Sequence, residues 1–151
     1  MRILIISQYF PPEVGATQTR VHYFAKALSR NGHGVTVICE VPNHPAGIIQ
    51  KEYRKKVFAR SQEDGFEVIR LWVFTNPRKT FLNRVLFYFS FLVHGIWAGL
   101  LLARGKYDVV FASSPPLPVG LVGYVLALFK RCPFVLDIRD LWPLVAPAVG
   151  E

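Results

Sequence analysis

Four short apolar runs, at residues 3–7, 35–39, 109–112 and 134–138, are separated by stretches with helical spacing. Runs this short and this apolar are the mark of strands buried on both faces. Joining such strands in parallel requires crossovers, and crossovers within one sheet are right-handed. The alternation therefore predicts a doubly wound α/β domain, with a parallel sheet covered by helices on both faces. The turn at 8–16 holds Pro11, Pro12 and Gly15. Residues 17–30 then set Val21, Phe24, Ala25 and Leu28 on one helical face, and Asn31-Gly32 ends that helix. Residues 40–50, with Pro42, Asn43, Pro45 and Gly47, make a loop. Residues 57–60 and 66–73 flank Gln62-Glu63-Asp64-Gly65, a hairpin signal in which Asp-Gly supplies the tight turn.

Composition narrows the class. Apolar residues make up 52% of the 151-residue chain and charged residues only 19%, so something apolar lies very deep or faces lipid. The net charge of +8 favours polyanionic partners such as anionic lipid or pyrophosphate-linked substrates. The basic residues are scattered in small groups with no zinc-finger spacing, so no nucleic-acid partner is expected. Cys39 and Cys132 show no paired spacing; they are expected to be reduced thiols in a cytosolic compartment.

Residues 81–103 form a long apolar helix, with no formally charged side chain from Val85 to Ala103. That barely reaches the length of a spanning segment. Asn83, Ser90 and His94 fall on one narrow stripe. Arg78, Lys79 and Arg84 precede the apolar run, and Arg104 and Lys106 follow it. The chain must return to place residues 109–112 in the same sheet, which argues against a simple span. The helix is either a core helix or one that also dips a face into the membrane, with its basic flanks on anionic lipid.

Three segments at predicted strand ends hold the polar chemistry, and ligands of open α/β sheets bind at such ends. In the first, Gly15 precedes a helix; it lets the backbone N–H groups of Ala16, Thr17 and their neighbours face a phosphate, or it is a turn glycine before an N-cap at Thr17. A dinucleotide fingerprint would need three glycines in a short turn, and a P-loop would need Gly-Lys-Ser/Thr; neither is present. In the second, Ser113-Ser114-Pro115-Pro116 predicts a helix start with Ser114 as N-cap and Pro115 at the first helical position. The hydroxyls serve as caps or bind a sugar or phosphate. In the third, Asp137-Ile138-Arg139-Asp140, the strand period puts Asp137 and Arg139 on one face, where they can pair. The cluster is a structural ion pair, or a carboxylate for an acceptor hydroxyl beside an arginine for a phosphate.

The opening Met1-Arg2-Ile3-Leu4-Ile5-Ile6-Ser7-Gln8-Tyr9-Phe10-Pro11-Pro12-Glu13-Val14-Gly15-Ala16 resembles that of family 4 glycosyltransferases of the GT-B fold. Arg30-Asn31-Gly32-His33-Gly34-Val35-Thr36-Val37 resembles the same family's turn into its second strand. Ser113-Ser114-Pro115-Pro116 and Asp137-Ile138-Arg139-Asp140-Leu141-Trp142-Pro143 resemble the subgroup that builds lipid-linked surface polysaccharides. The resemblance implies a Rossmann-like N-terminal GT-B half with the hairpin as an extension. It implies a retaining enzyme that uses a nucleotide-sugar donor and needs no metal or other cofactor. The acceptor it implies is a saccharide on a polyprenyl pyrophosphate, at the inner face of the cytoplasmic membrane. By position, Gly15, Ala16 and Thr17 match the donor-phosphate segment, and Ser113, Ser114 and Arg139 the acceptor side. Arg139 stands where many members carry histidine, so the acid–base role falls to Asp140 ahead of Asp137. The resemblance also implies a C-terminal donor-binding domain absent from these residues, without which the chain is expected to be inactive. The alternative is a non-catalytic membrane-associated α/β binding module.

Overall fold

A computed structural model describes residues 1–78 and 80–139. Six strands form one sheet: β1 (Arg2–Ile6), β2 (Gly34–Glu40), β3 (Phe58–Glu63), β4 (Phe66–Leu71), β5 (Val109–Ser113) and β6 (Phe134–Asp137), in the order β3-β4-β2-β1-β5-β6. Every neighbouring pair is parallel except β3–β4, the hairpin, which adds one antiparallel edge strand. Its turn residues Asp64 and Gly65 have φ of 47° and 90°, the positive values a two-residue hairpin turn demands. Asp64 then pairs with Lys26 and His22, each at 3.0 Å, so the turn is tied to the helix beside it.

Helices cover both faces, as the alternation of apolar runs requires. On one face α1 (Ala16–Arg30) packs Val21 and Ala25 onto Ile3, Ile5, Val35, Val37 and Val68. Phe24 lies at the margin of that contact, 40% exposed, with its ring 4.9 Å from that of Phe111. On the other face α2 (Phe81–Leu101) and α3 (Pro118–Lys130) cover Leu4, Ile6, Ile38, Ile69, Leu71, Val110 and Ala112. The two helices approach closely because α2 offers small residues. A Cβ on Gly95 would lie 3.0 Å from Val122, and one on Gly99 would run into Leu126.

The start of α3 corrects the expected cap. Leu117 occupies the N-cap position and Pro118 opens the helix. Pro116 disfavours helical geometry at Pro115, which weighs against a start there. Ser114 instead prolongs β5: its N–H donates to the Asp137 carbonyl at 2.9 Å. Thr17 is likewise inside α1 and caps nothing; Gly15 holds the N-cap position, without a side-chain bond.

α2 is anchored at both ends and along its polar stripe. Thr80 caps it, its hydroxyl accepting from the Asn83 N–H. Ser90 Oγ accepts from Phe74 N at 2.8 Å, and Asn83 Nδ2 donates to Arg78 O at 2.6 Å, so the stripe satisfies the backbone after β4. Around the far end, Arg104 Nε donates to Leu101 O, Arg60 to Leu102 O and Lys130 to Ala103 O. These cations satisfy orphan carbonyls and complement the negative end of the helix dipole. Arg104, grouped by its sequence position with the lipid-facing charges, is turned back onto the helix end.

Candidate functional site

The loop after β1, the end of β5 and the end of β6 meet at the carboxyl edge of the sheet. Ser113 Oγ donates to Asp137 Oδ2 at 2.9 Å. Arg20, one turn into α1, forks onto the same carboxylate, with Nη1 on Oδ2 and Nη2 on Oδ1. Arg139 Nη1 donates to Thr17 Oγ1 at 2.8 Å. The expected Asp137–Arg139 pair is thus replaced by two cross-connections to α1. β6 ends at Asp137, so the strand period no longer fixes Arg139, whose guanidinium turns to Thr17 on α1 while Asp137 takes Arg20. The structure brings together Thr17, Ser113, Asp137 and Arg139, with Ser114 held through its backbone. Gly15 and Ala16 sit at the mouth of α1. Asp140 lies outside the described residues.

The fork from Arg20 holds the Asp137 carboxyl below its ordinary value, and the Ser113 hydroxyl adds to this. A general base works best with a pKa near the working pH, and Asp137 is displaced the other way. Its geometry suits a brace that fixes Arg20 and Ser113. Among the described residues, two guanidiniums, Arg20 and Arg139, surround one carboxylate at an α1 terminus with no acidic residue in its first turn. That balance favours an anion. In the sequence, nothing marks Arg20 beyond its position one turn after Gly15, Ala16 and Thr17 open α1.

The brace has a pH signature. Because the folded pKa is depressed, its stabilisation is present above the unfolded value and lost as pH falls through the folded one. Arg20 is half exposed, so the expected size is small, about 0.5–1 kcal/mol. Asp137→Asn should remove this contribution at pH 7 and match the wild type near pH 2, as read by urea unfolding at both pH values. An equal loss at both would show that packing, not charge, is involved.

A second polar cluster flanks the first. Glu13 Oε1 accepts from the N–H groups of both Asn43 and His44 at 2.7 Å, which pins the loop after β2 to the loop after β1. Glu40 accepts from Gln8 Nε2 and Asn43 Nδ2, each at 2.8 Å. Burial, then the neighbouring Glu13, push the Glu40 carboxyl well above its ordinary value. From sequence this stretch was a proline- and glycine-bearing loop and nothing more.

Comparison with known proteins decides the family. The glycosyl transferase 4-like domain profile matches residues 15–150. The chain belongs to the glycosyl transferase 4-like family. Its fold is shared with sucrose-phosphate synthase from Thermosynechococcus elongatus, at 16% identity and a TM-score of 0.60, over 99% of this chain and 35% of that one. It is also similar to the C-terminal domain of a hydrogenase from Pyrococcus furiosus in two crystal structures. These have 23% and 20% identity and TM-scores of 0.54 and 0.55; 90% of this chain is covered in each, and 89% and 90% of theirs. No curated protein gives a significant match. Membership in the glycosyl transferase 4-like family, with the GT-B-type N-terminal Rossmann-like sheet, carries glycosyl transfer as the general chemistry, between a nucleotide-sugar donor and an acceptor.

Proposed function

We propose that this glycosyl transferase 4-like chain is the acceptor-side half of a retaining glycosyltransferase that extends a polyprenyl-pyrophosphate-linked saccharide. The product is a surface polysaccharide precursor, made at the inner face of the cytoplasmic membrane. A donor-binding domain completes the enzyme. In this reading the α1 mouth at Gly15, Ala16 and Thr17 faces the donor phosphates, with Arg20 and Arg139 supplying positive charge. Ser113 and Ser114 line the acceptor side, and Asp140 is the acid–base candidate.

The observation that carries the membrane and lipid part is the outer face of α2. Its inner face is core, with Phe91 fully buried. Its outer face presents Phe81 (84% exposed), Leu82, Val85, Leu86, Phe89 (58%) and Val93. Residues 81, 85, 89 and 93 recur every four positions, one continuous stripe. By length and composition α2 could cross a membrane, but its packing on the sheet and α3 leaves its outer face, not its whole circumference, for lipid. Apolar stripes of this kind on a soluble fold mark a contact surface. The family match supports the transferase over a non-catalytic membrane-associated module.

Liposome flotation tests it. The chain should float with phosphatidylglycerol vesicles at low salt and less at high salt, since each basic residue near an anionic leaflet adds about 1 kcal/mol that salt screens. Val85→Asp with Phe89→Asp should abolish flotation without loss of fold, both side chains being exposed. A wild-type chain that stays with the soluble fraction at both low and high salt would remove the membrane from the proposal.

A further inference from the structure

A cleft of 320 Å³ opens on the flank of the sheet edge away from β6, between the loop after β2 and the first half of α2. Tyr9, Asn43, His44, Asn76, Arg84 and Tyr88 are among its lining residues. The strand-end cluster of Ser113, Asp137 and Arg139 does not contribute to it.

The walls are built in advance of any ligand. The loop side is held by Glu13 through two backbone N–H groups, and Gly47 N donates to Asn43 O at 2.7 Å. Asn43 is 7% exposed and donates through Nδ2 to both Glu40 and Val41 O. Gly47 has φ of 67°, and a Cβ there would lie 3.0 Å from Asn76 O, so the loop closes on the segment after β4 at that end. Such a site loses little entropy on binding.

The lining has a definite chemistry. Tyr9 and His44 present rings with centroids 6.2 Å apart, and Phe87 and Tyr88 present two more at 5.2 Å. Burial keeps the Tyr9 phenol protonated, so it remains a donor. Aromatic faces beside carboxamides are what a sugar ring needs, apolar C–H faces against rings and hydroxyls against amides. The volume falls in the range of small-ligand pockets, about 300–1,000 Å³. Arg84 is the one lining residue with a fixed charge, and among the described residues no carboxylate pairs with it. A phosphate is the natural counterpart.

The position of Arg84 supplies the last element. It lies on α2 one turn before Tyr88, and its neighbours Val85, Leu82 and Phe81 begin the exposed apolar stripe. A ligand whose phosphate meets Arg84 therefore has a sugar-shaped cleft on one side and an apolar rail on the other. We propose that this cleft, to one side of the strand-end cluster, seats the lipid-bearing end of the acceptor: a saccharide on a lipid-borne phosphate or pyrophosphate, with its phosphate on Arg84 and its tail along α2. This rests on the reading above that the acceptor is lipid-linked.

The test is a titration of the chain with farnesyl pyrophosphate, inorganic pyrophosphate and phosphatidylglycerol vesicles, followed by calorimetry. Three variants are compared: Arg84→Gln, Arg139→Gln and, as a charge-matched surface control, Lys106→Gln. Farnesyl pyrophosphate should bind at least tenfold tighter than inorganic pyrophosphate. Arg84→Gln should weaken farnesyl pyrophosphate tenfold or more while weakening vesicle binding by no more than about fivefold, the loss of one basic residue near an anionic leaflet, and Lys106→Gln should leave farnesyl pyrophosphate binding within twofold. If Arg139→Gln weakens farnesyl pyrophosphate and Arg84→Gln does not, the cleft is refuted while a lipid-linked acceptor stands. Equal affinity for farnesyl and inorganic pyrophosphate, both lost in Arg84→Gln, would make the site one for a soluble phosphate and would sink the lipid-linked reading itself. No binding of either, or an equal loss for vesicles and farnesyl pyrophosphate, overturns the proposal.

Discussion

Arg70→Met should cost the chain about 3 kcal/mol of stability, the low end of the range for breaking a buried ion pair by removing one partner. Arg70 lies on β4 and is 4% exposed. Its Nη1 donates to Glu63 Oε1 at 2.6 Å and to Ser61 Oγ at 2.9 Å, both on the hairpin strand β3. Its Nη2 donates to the Pro11 carbonyl at 2.7 Å, in the loop that leads to Gly15. Methionine fills the volume of the stem and leaves Glu63 and the Pro11 carbonyl without their cation. Glu63 keeps some contact with water, 29% of its side chain, which places the loss at the low end. For a chain of this size 3 kcal/mol lowers Tm by roughly 6–12 °C. Arg70→Lys should recover only part of this, because one ammonium cannot serve three partners in a plane. Thermal and urea unfolding of the two variants would measure the difference; a loss below about 0.5 kcal/mol for Arg70→Met would show that the first loop holds itself.

The parallel sheet and the hairpin were legible because their signals are local. A five-residue apolar run and an Asp-Gly turn mean the same thing wherever they occur. The helix start at Ser114 failed for the converse reason. Capping rules see only the next few residues, whereas the Ser114 N–H is taken by Asp137, 23 positions along the chain, through the β5–β6 ladder. Arg20 was invisible for the same reason: its partner Asp137 lies 117 residues away, and no periodicity links them. The apolar excess of 81–103 predicted a helix with a face to spare, and α2 has one. The cleft against that helix was not foreseen, because its lining comes from four separate segments that the sheet order alone brings together.

The helix packing beneath that stripe and the polar cluster behind the cleft serve one purpose by different means. Gly95 and Gly99 let α2 sit close on α3, so that the helix can be apolar on both sides and still be fixed in position. Glu13 fixes the opposite wall by accepting two backbone N–H groups on one oxygen. A cleft between a rigid helix and a pinned loop keeps its width, which a site that must align a large acceptor requires.

Glu40 is where that rigidity is most exposed to substitution, and the replacement residue decides the outcome. Glu40 is 2% exposed, and its two oxygens accept from Gln8 and Asn43. Burial first, then the neighbouring Glu13, raise its pKa, so the folded chain holds a proton there above pH 4.5 that the unfolded chain has released. The unfolded state then binds fewer protons, and stability falls as pH rises from about 4.5 until the folded pKa is passed. The proton also has a place to go. Gln8 Oε1 is buried and unpartnered among the described residues; turned about its amide, Gln8 would accept that proton. Glu40→Ala should cost about 3 kcal/mol at pH 5, from a cavity and two stranded amides at about 1–3 kcal/mol each, partly relaxed. Glu40→Gln should stay within about 0.5 kcal/mol of the wild type at pH 5, because its amide reproduces the protonated acid. At pH 8 it should be the more stable of the two, since it has no proton to lose. Urea unfolding of wild type, Glu40→Ala and Glu40→Gln at pH 5 and 8 separates these outcomes. A Glu40→Gln loss as large as that of Glu40→Ala, with a wild type indifferent to pH across the interval, would mean that Glu40 is charged in the fold and that its two amide donors are enough to hold it so.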